Sequence, residues 1–179
     1  MRPAGKTFLL LGLFLLAAMG CGLLAPTAPP PATATPRVAN PSPTPEDVSA
    51  GEIARVITVI DGDTIDVLID GERYRVRYIG VDTPERDEVC YAEATAANAA
   101  WVEGRTVRLV RDVSETDRYG RLLRYVYADG VFVNEALVRD GWARAVSFPP
   151  DTAYARHFFA LEDQARAARR GCHPTGVFG

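Results

Sequence analysis

Between Thr64 and Pro84 the chain reads T-I-D-V-L-I-D-G-E-R-Y-R-V-R-Y-I-G-V-D-T-P. Two strand-forming runs flank Asp70-Gly71, a dipeptide suited to a two-residue hairpin because it tolerates positive φ. Arg73, Arg75 and Arg77 alternate with Tyr74, Val76 and Tyr78. That period of two predicts a strand with one polar and one apolar face. Pro84 has no N–H to give to a ladder and stops the strand. Upstream, the β-branched run Ile53 to Ile60 adds a third strand to the meander.

The remaining elements follow from composition and punctuation. Cys90 to Val102 is alanine-rich and predicts a helix closed by Gly104. Arg105 to Arg111 and Arg121 to Tyr127 predict strands, with Asp129-Gly130 as another tight turn. Asn134 is expected to cap a short helix ending at Gly141. Ala153 to Arg170 predicts a last helix, with Phe158, Leu161 and Ala165 at helical spacing. Five strands and trailing helices give an α+β fold with a closed sheet.

Residues 1–50 stand apart from this pattern. Arg2 and Lys6 precede an apolar stretch, Phe8 to Ala18, ending in Ala18-Met19-Gly20-Cys21. A basic start, a short apolar segment and small residues describe an export signal over residues 1–21. Its end resembles a bacterial lipobox, with Ala18 where Leu is usual and Met19 where a smaller residue is. Lipidation of Cys21 would anchor the chain to a membrane, while an ordinary signal peptide would release it. Residues 22–50 are dense in Pro, Thr and Ala, a composition that buries too little surface to offset its ordering entropy. The expectation is an exported chain, in the cell envelope or secreted, with a spacer before one domain over residues 51–179.

Net charge is −3 at pH 7, so no diffuse basic field attracts a polyanion. This counts against a pure nucleic-acid-binding module and is compatible with an enzyme whose few arginines converge. Lys6 is the only lysine, which a coding preference for arginine explains as well as phosphate recognition does. Besides Cys21 the chain holds Cys90 and Cys172. Export favours a disulfide between them over two free thiols.

Three segments carry chemistry: Asp61-Gly62-Asp63-Thr64-Ile65-Asp66, Val76-Arg77-Tyr78-Ile79-Gly80-Val81-Asp82-Thr83-Pro84-Glu85, and Asp117-Arg118-Tyr119-Gly120-Arg121. They combine hard oxygen ligands with guanidinium forks that match phosphate. In this order, followed by Val133-Asn134-Glu135-Ala136-Leu137-Val138 and Gly141-Trp142-Ala143, they resemble the thermonuclease (staphylococcal nuclease) family from about Glu52 to about Arg170. The resemblance implies a five-stranded OB-fold barrel with about three α-helices. It implies a calcium-dependent hydrolase that cleaves DNA and RNA by in-line water attack, releases the 5′-oxygen and leaves 3′-phosphates.

Matched residue by residue, the resemblance makes Asp63 and Asp82 the calcium carboxylates, with Thr83 adding its backbone carbonyl. Glu85 becomes the catalytic base, Arg77 and Arg121 the phosphate clamps, and Tyr119 a substrate-contacting tyrosine. Read alone, Asp63 and Asp82 could simply begin turns, Glu85 could be a solvated acid, Arg77 could belong to the polar strand face with Arg73 and Arg75, and Tyr119 could be a core residue. Asp61 is expected to support the metal ligands from behind, and Asp66 to face solvent. The family's base-flanking tyrosines fall near Ser147 to Pro149, where only Phe148 offers a ring. His157 and His173 are expected to be solvated. The competing reading is a catalytically silent OB module that binds nucleic acid or protein, although such modules typically lack one of these carboxylates or arginines. A monomer with no obligate protein partner is expected.

Overall fold

The computed structural model describes residues 51–179. The expected export signal, Cys21 and the proline-rich segment lie outside the described residues. No helix among the described residues is long and apolar enough to cross a membrane.

Strands β1 (Glu52–Val59), β2 (Thr64–Ile69) and β3 (Glu72–Tyr78) form an antiparallel meander, with Ile69 opposite Glu72 across the Asp70-Gly71 turn. Asp70 and Gly71 have φ of 50° and 87°, the double positive-φ geometry the dipeptide suggested. β4 (Val81–Asp82) precedes helix α1 (Tyr91–Val102). β5 (Thr106–Val110) then pairs antiparallel with β1 and with β6 (Leu122–Ala128). β6 also runs parallel to β3, matching Val76 with Leu122 and Tyr78 with Arg124, and this closes a five-stranded barrel. β7 (Val131–Phe132) extends β6, and α2 (Val133–Arg139), β8 (Arg144–Ala145) and α3 (Ala155–Ala167) follow.

The barrel interior is filled by Val56, Ile65, Val67, Val76, Val107, Leu109 and Val126, all essentially inaccessible. Every second residue of a strand points inward, so the alternation seen in the sequence becomes the core directly. Phe158 of α3 packs below the barrel, and Gly80 makes its approach possible. A Cβ on Gly80 would lie 2.8 Å from the Phe158 ring, and the residue sits at φ 77°. A disulfide joins Cys90, just before α1, to Cys172 beyond α3.

Three expectations need correction. Asn134 is not a helix cap: it is buried in the first turn of α2, accepts a bond from Val126 N–H at 2.9 Å and donates to the Ile79 carbonyl at 2.9 Å. It ties β6 to the segment leading into the acidic turn, a long-range task that local capping preference cannot show. α3 begins at Ala155 rather than Ala153 and ends at Ala167, and Arg169 adopts φ 53°. Asp66 does not face solvent. Its side chain is 1% exposed, because Arg73 and Arg75 close over it from the adjacent strand.

Candidate active site

The two acidic turns touch. Asp61 Oδ1 accepts a bond from Asp63 N–H at 3.0 Å, which tightens the first turn. A Cβ on Gly62 would lie 2.7 Å from the Thr83 side chain, so glycine lets the second turn rest against the first. Asn98 of α1 fixes the pair from behind, donating to the Asp61 carbonyl at 2.9 Å and accepting from Tyr78 Oη at 2.9 Å.

Asp63 is buried at the centre of this contact. Its Oδ2 accepts from Thr83 N–H at 2.9 Å and from Thr83 Oγ1 at 3.1 Å, and its Oδ1 accepts from Thr64 Oγ1 at 3.0 Å. Burial pushes its pKa up to about 6, against the opposing pull of Arg77. Arg77, with a side chain 15% exposed, places Nε 3.1 Å from Asp63 Oδ1 and Nη2 3.0 Å from Asp82 Oδ1. Its Nη1 donates to the carbonyls of Tyr78 and Val81 at 2.8 and 2.7 Å. One guanidinium therefore draws Asp63 and Asp82 together while its own orientation is fixed by backbone. Asp82 is held from its other side by Arg144, whose Nε and Nη2 reach Oδ2 at 3.0 and 2.7 Å.

The third segment forms the facing wall. Asp117 accepts from the N–H groups of Tyr119 and Arg121 at 2.9 and 3.0 Å, and from Arg121 Nε at 2.6 Å. Burial raises the Asp117 pKa, but these bonds outweigh it and hold the carboxyl below its ordinary value. Tyr119 is 68% exposed, so it is no core residue, and the guanidinium carbons of Arg118 and Arg121 lie 4.7 and 5.5 Å from its ring centre. Arg77, Asp82, Tyr119, Arg121 and the exposed ring of Phe148 line one concavity of about 500 Å³. Glu85 does not line it. Glu85 sits exposed on the following loop, its N–H bonded to Glu88 Oε2 at 2.7 Å, and its carboxylate has no partner among the described residues.

By donor type the set suits a hard cation. Asp63 and Asp82 carry carboxylate oxygens on either side of the Arg77 guanidinium, the Thr83 carbonyl accepts no hydrogen bond from the described residues, and no thiolate or imidazole is among them. The four carboxylate oxygens are engaged here by Thr64, Thr83, Arg77 and Arg144, which a cation would have to displace in part. The chain supplies two carboxylates there rather than three, and no cluster of three or more acidic, His or Cys ligands occurs among the described residues. A cation held there would supply positive charge beside phosphoryl oxygens.

The sequence that builds this site has relatives. The profile of the family described as Staphylococcal nuclease homologue matches residues 75–172, more than half of the chain. The chain belongs to the staphylococcal nuclease family. It is 38% identical over 122 residues to the thermonuclease of Staphylococcus hyicus, covering 65% of this chain and 72% of that one. It is 41% identical over 116 residues to endonuclease YncB of Bacillus subtilis (strain 168), covering 60% of this chain and 55% of the relative. The Staphylococcus intermedius thermonuclease is 40% identical over 110 residues, with 58% and 66% covered. The chain thus spans little more than half of the YncB length it matches. The family profile begins after Asp63, so the first acidic turn is tied to the rest by the contacts above rather than by that match.

Within the staphylococcal nuclease frame, two site residues escaped sequence reasoning. Arg144 meets Asp82 only because β4 and β8 pair them directly across a two-residue ladder, and nothing local announces a partner so distant in sequence. Asp117, four residues before Arg121, carried a usable signal, since that spacing sets a carboxylate beside a guanidinium in a tight turn. The histidines are half-buried rather than fully solvated. His157 Nε2 lies 3.0 Å from Glu135 Oε2, and burial pushes the His173 pKa down.

Proposed function

We infer that this protein is a nuclease that hydrolyses phosphodiester bonds of DNA and RNA with calcium as cofactor. The observation carrying this reading is the concavity lined by Arg77, Asp82 and Arg121, with buried Asp63 paired to Arg77. Arg121, whose Nη groups carry no hydrogen bond among the described residues, presents donors for phosphoryl oxygens, which gain charge as the bond to the leaving oxygen breaks. Arg77 would reach the same oxygens by releasing part of its present contacts. Asp63, Asp82 and the Thr83 carbonyl would hold calcium beside that phosphoryl group. Glu85, exposed and with its carboxylate unpartnered among the described residues, would turn toward the concavity and take a proton from the attacking water. In-line attack would expel the 5′-oxygen and leave a 3′-phosphate.

A second reading has an observation of its own. Arg77 already spends its donors on Asp63, Asp82 and backbone, and Glu85 stands outside the concavity, as in a silent binding module. One experiment separates the two. The purified protein is incubated with single-stranded DNA in calcium or in chelator, and the product ends are analysed. The nuclease reading expects degradation to 3′-phosphate ends in calcium alone. Intact DNA in both conditions, with binding retained, favours the silent module. Export and lipidation at Cys21 complete the proposal and rest on the sequence pattern of residues 1–50, and a monomeric state is proposed with them.

A further inference from the structure

A second concavity, about 420 Å³, lies on the other side of Tyr119 and Arg121. Its floor is Asp66 and its wall is Arg73 and Arg75 of β3. Arg75 grips Asp66 through Nε and Nη2 at 2.8 and 3.0 Å, and Arg73 reaches the same carboxylate through Nη2. These are the only side-chain hydrogen bonds of the two arginines among the described residues, and the side chains of Arg75 and Arg73 are 48% and 59% exposed. Each guanidinium is therefore held in place by a buried carboxylate while nitrogens on its outer side remain unbonded. Arg73, Arg75 and Arg121 line it against the carboxylate of Asp66, with Asp117 paired to Arg121 alongside, which leaves a local excess of positive charge in a chain of net charge −3. Tyr119 and Arg121 line both concavities, so the two form one track with an exposed aromatic ring at its crest.

We propose that the Arg73–Arg75 shelf is a second phosphate subsite, which binds the backbone of a single nucleic-acid strand one or more nucleotides away from the phosphodiester held between Arg77 and Arg121. The proposal rests on the nuclease reading for the first concavity. A basic groove beside an exposed aromatic ring is the arrangement that holds single strands without sequence preference, with bases stacking on the ring and phosphates meeting the cations. Asp66 acts as an anchor: by holding two guanidinium groups it removes their rotamer freedom before the strand arrives, which lowers the cost of binding. Arg73 and Arg75 position the strand and take no part in bond breaking.

The test is the salt dependence of binding. A fluorescent single-stranded oligonucleotide long enough to span both concavities is titrated with the purified protein in chelator, which blocks turnover, across a range of salt concentrations. Each phosphate contact contributes about 0.7 to the slope of log K against log salt for single strands. Arg73→Gln keeps the paired Arg75–Asp66 contact and with it the local fold. It should lower the slope by about 0.7, and Arg73→Lys should restore most of it. Arg169, exposed beyond α3 and lining neither concavity, supplies the control: Arg169→Gln should leave the slope as it is. An unchanged slope in Arg73→Gln overturns the subsite, as does an equal drop in Arg169→Gln, which would mean general electrostatics. Absence of binding by the wild type overturns it too. Failure of the nuclease reading looks different: no cleavage in calcium while the slope still depends on Arg73. Cleavage with a slope indifferent to Arg73 removes the subsite and leaves the enzyme.

Discussion

Replacing Arg77 by lysine should damage the fold as well as the chemistry, and the structure says by how much. Arg77 gives four contacts from a side chain 15% exposed: two to backbone carbonyls, one to buried Asp63 and one to Asp82. A lysine head cannot reach all four, and Asp63 then keeps its threonine donors but loses its counterion. Breaking a buried pair costs about 3–5 kcal/mol, and the charge lysine retains offsets part of that, leaving about 2–3 kcal/mol. For a domain of this size the melting temperature should fall by roughly 10 °C. Arg121→Lys is the comparison. That side chain is 30% exposed, and Asp117 keeps its two backbone donors, so the loss should stay below about 1 kcal/mol. Thermal melts of the two variants, followed by circular dichroism in the same buffer, decide the matter. Equal shifts would mean that the Arg77 cage contributes no more than a surface pair, and the reasoning from burial would fail.

Three further outcomes follow from named contacts. Glu85→Gln should leave the melting temperature unchanged, because the carboxylate is exposed and has no partner among the described residues, yet reduce kcat by about a hundredfold to ten-thousandfold; near-normal turnover would move the base elsewhere. Reduction should add two hydrogens to the intact mass through Cys90 and Cys172 and lower stability by about 4 kcal/mol, so free alkylation of both thiols in the native protein would contradict the bond. The bonds from Arg75 and Arg73 hold the Asp66 pKa below its ordinary 3.8, so its contribution is complete above that value and fades as pH falls through the lower native one. The stability gap between wild type and Asp66→Asn should therefore be wide at neutral pH and close in acid. A gap that stays constant down to pH 2 would show that charge is not its source.

The parts of this molecule visible in the sequence are those governed by neighbours along the chain. Asp70-Gly71 announces the hairpin because turn geometry needs only those two residues, and the Arg73 to Tyr78 alternation announces a strand because the pleat has a period of two. Resemblance singled out Asp63, Arg77, Asp82 and Arg121, but it could not show how they are arranged. That one guanidinium bridges both aspartates depends on β3 lying against both turns, and that Arg144 seals Asp82 depends on β8 returning to β4. Asp66 misled for the same reason: on an outward-facing strand position a carboxylate should be wet, and only the register of Arg73 and Arg75 on the neighbouring strand buries it. Asn134 looked like a cap because the relevant donor and acceptor, Val126 and Ile79, lie on other elements.

The central claim is that one phosphoryl group is held between Arg77 and Arg121. Steady-state kinetics of Arg77→Lys, Arg121→Lys and the double variant on a short single-stranded DNA, in saturating calcium and well below each melting temperature, test it most directly. Each single variant should lose about a hundredfold to a thousandfold in kcat with little change in KM, as expected for a donor that acts on the transition state. The double variant should fall well short of the product of the two losses, because both act on the same group. Losses that appear only in KM, or that multiply fully, would contradict a shared phosphoryl site.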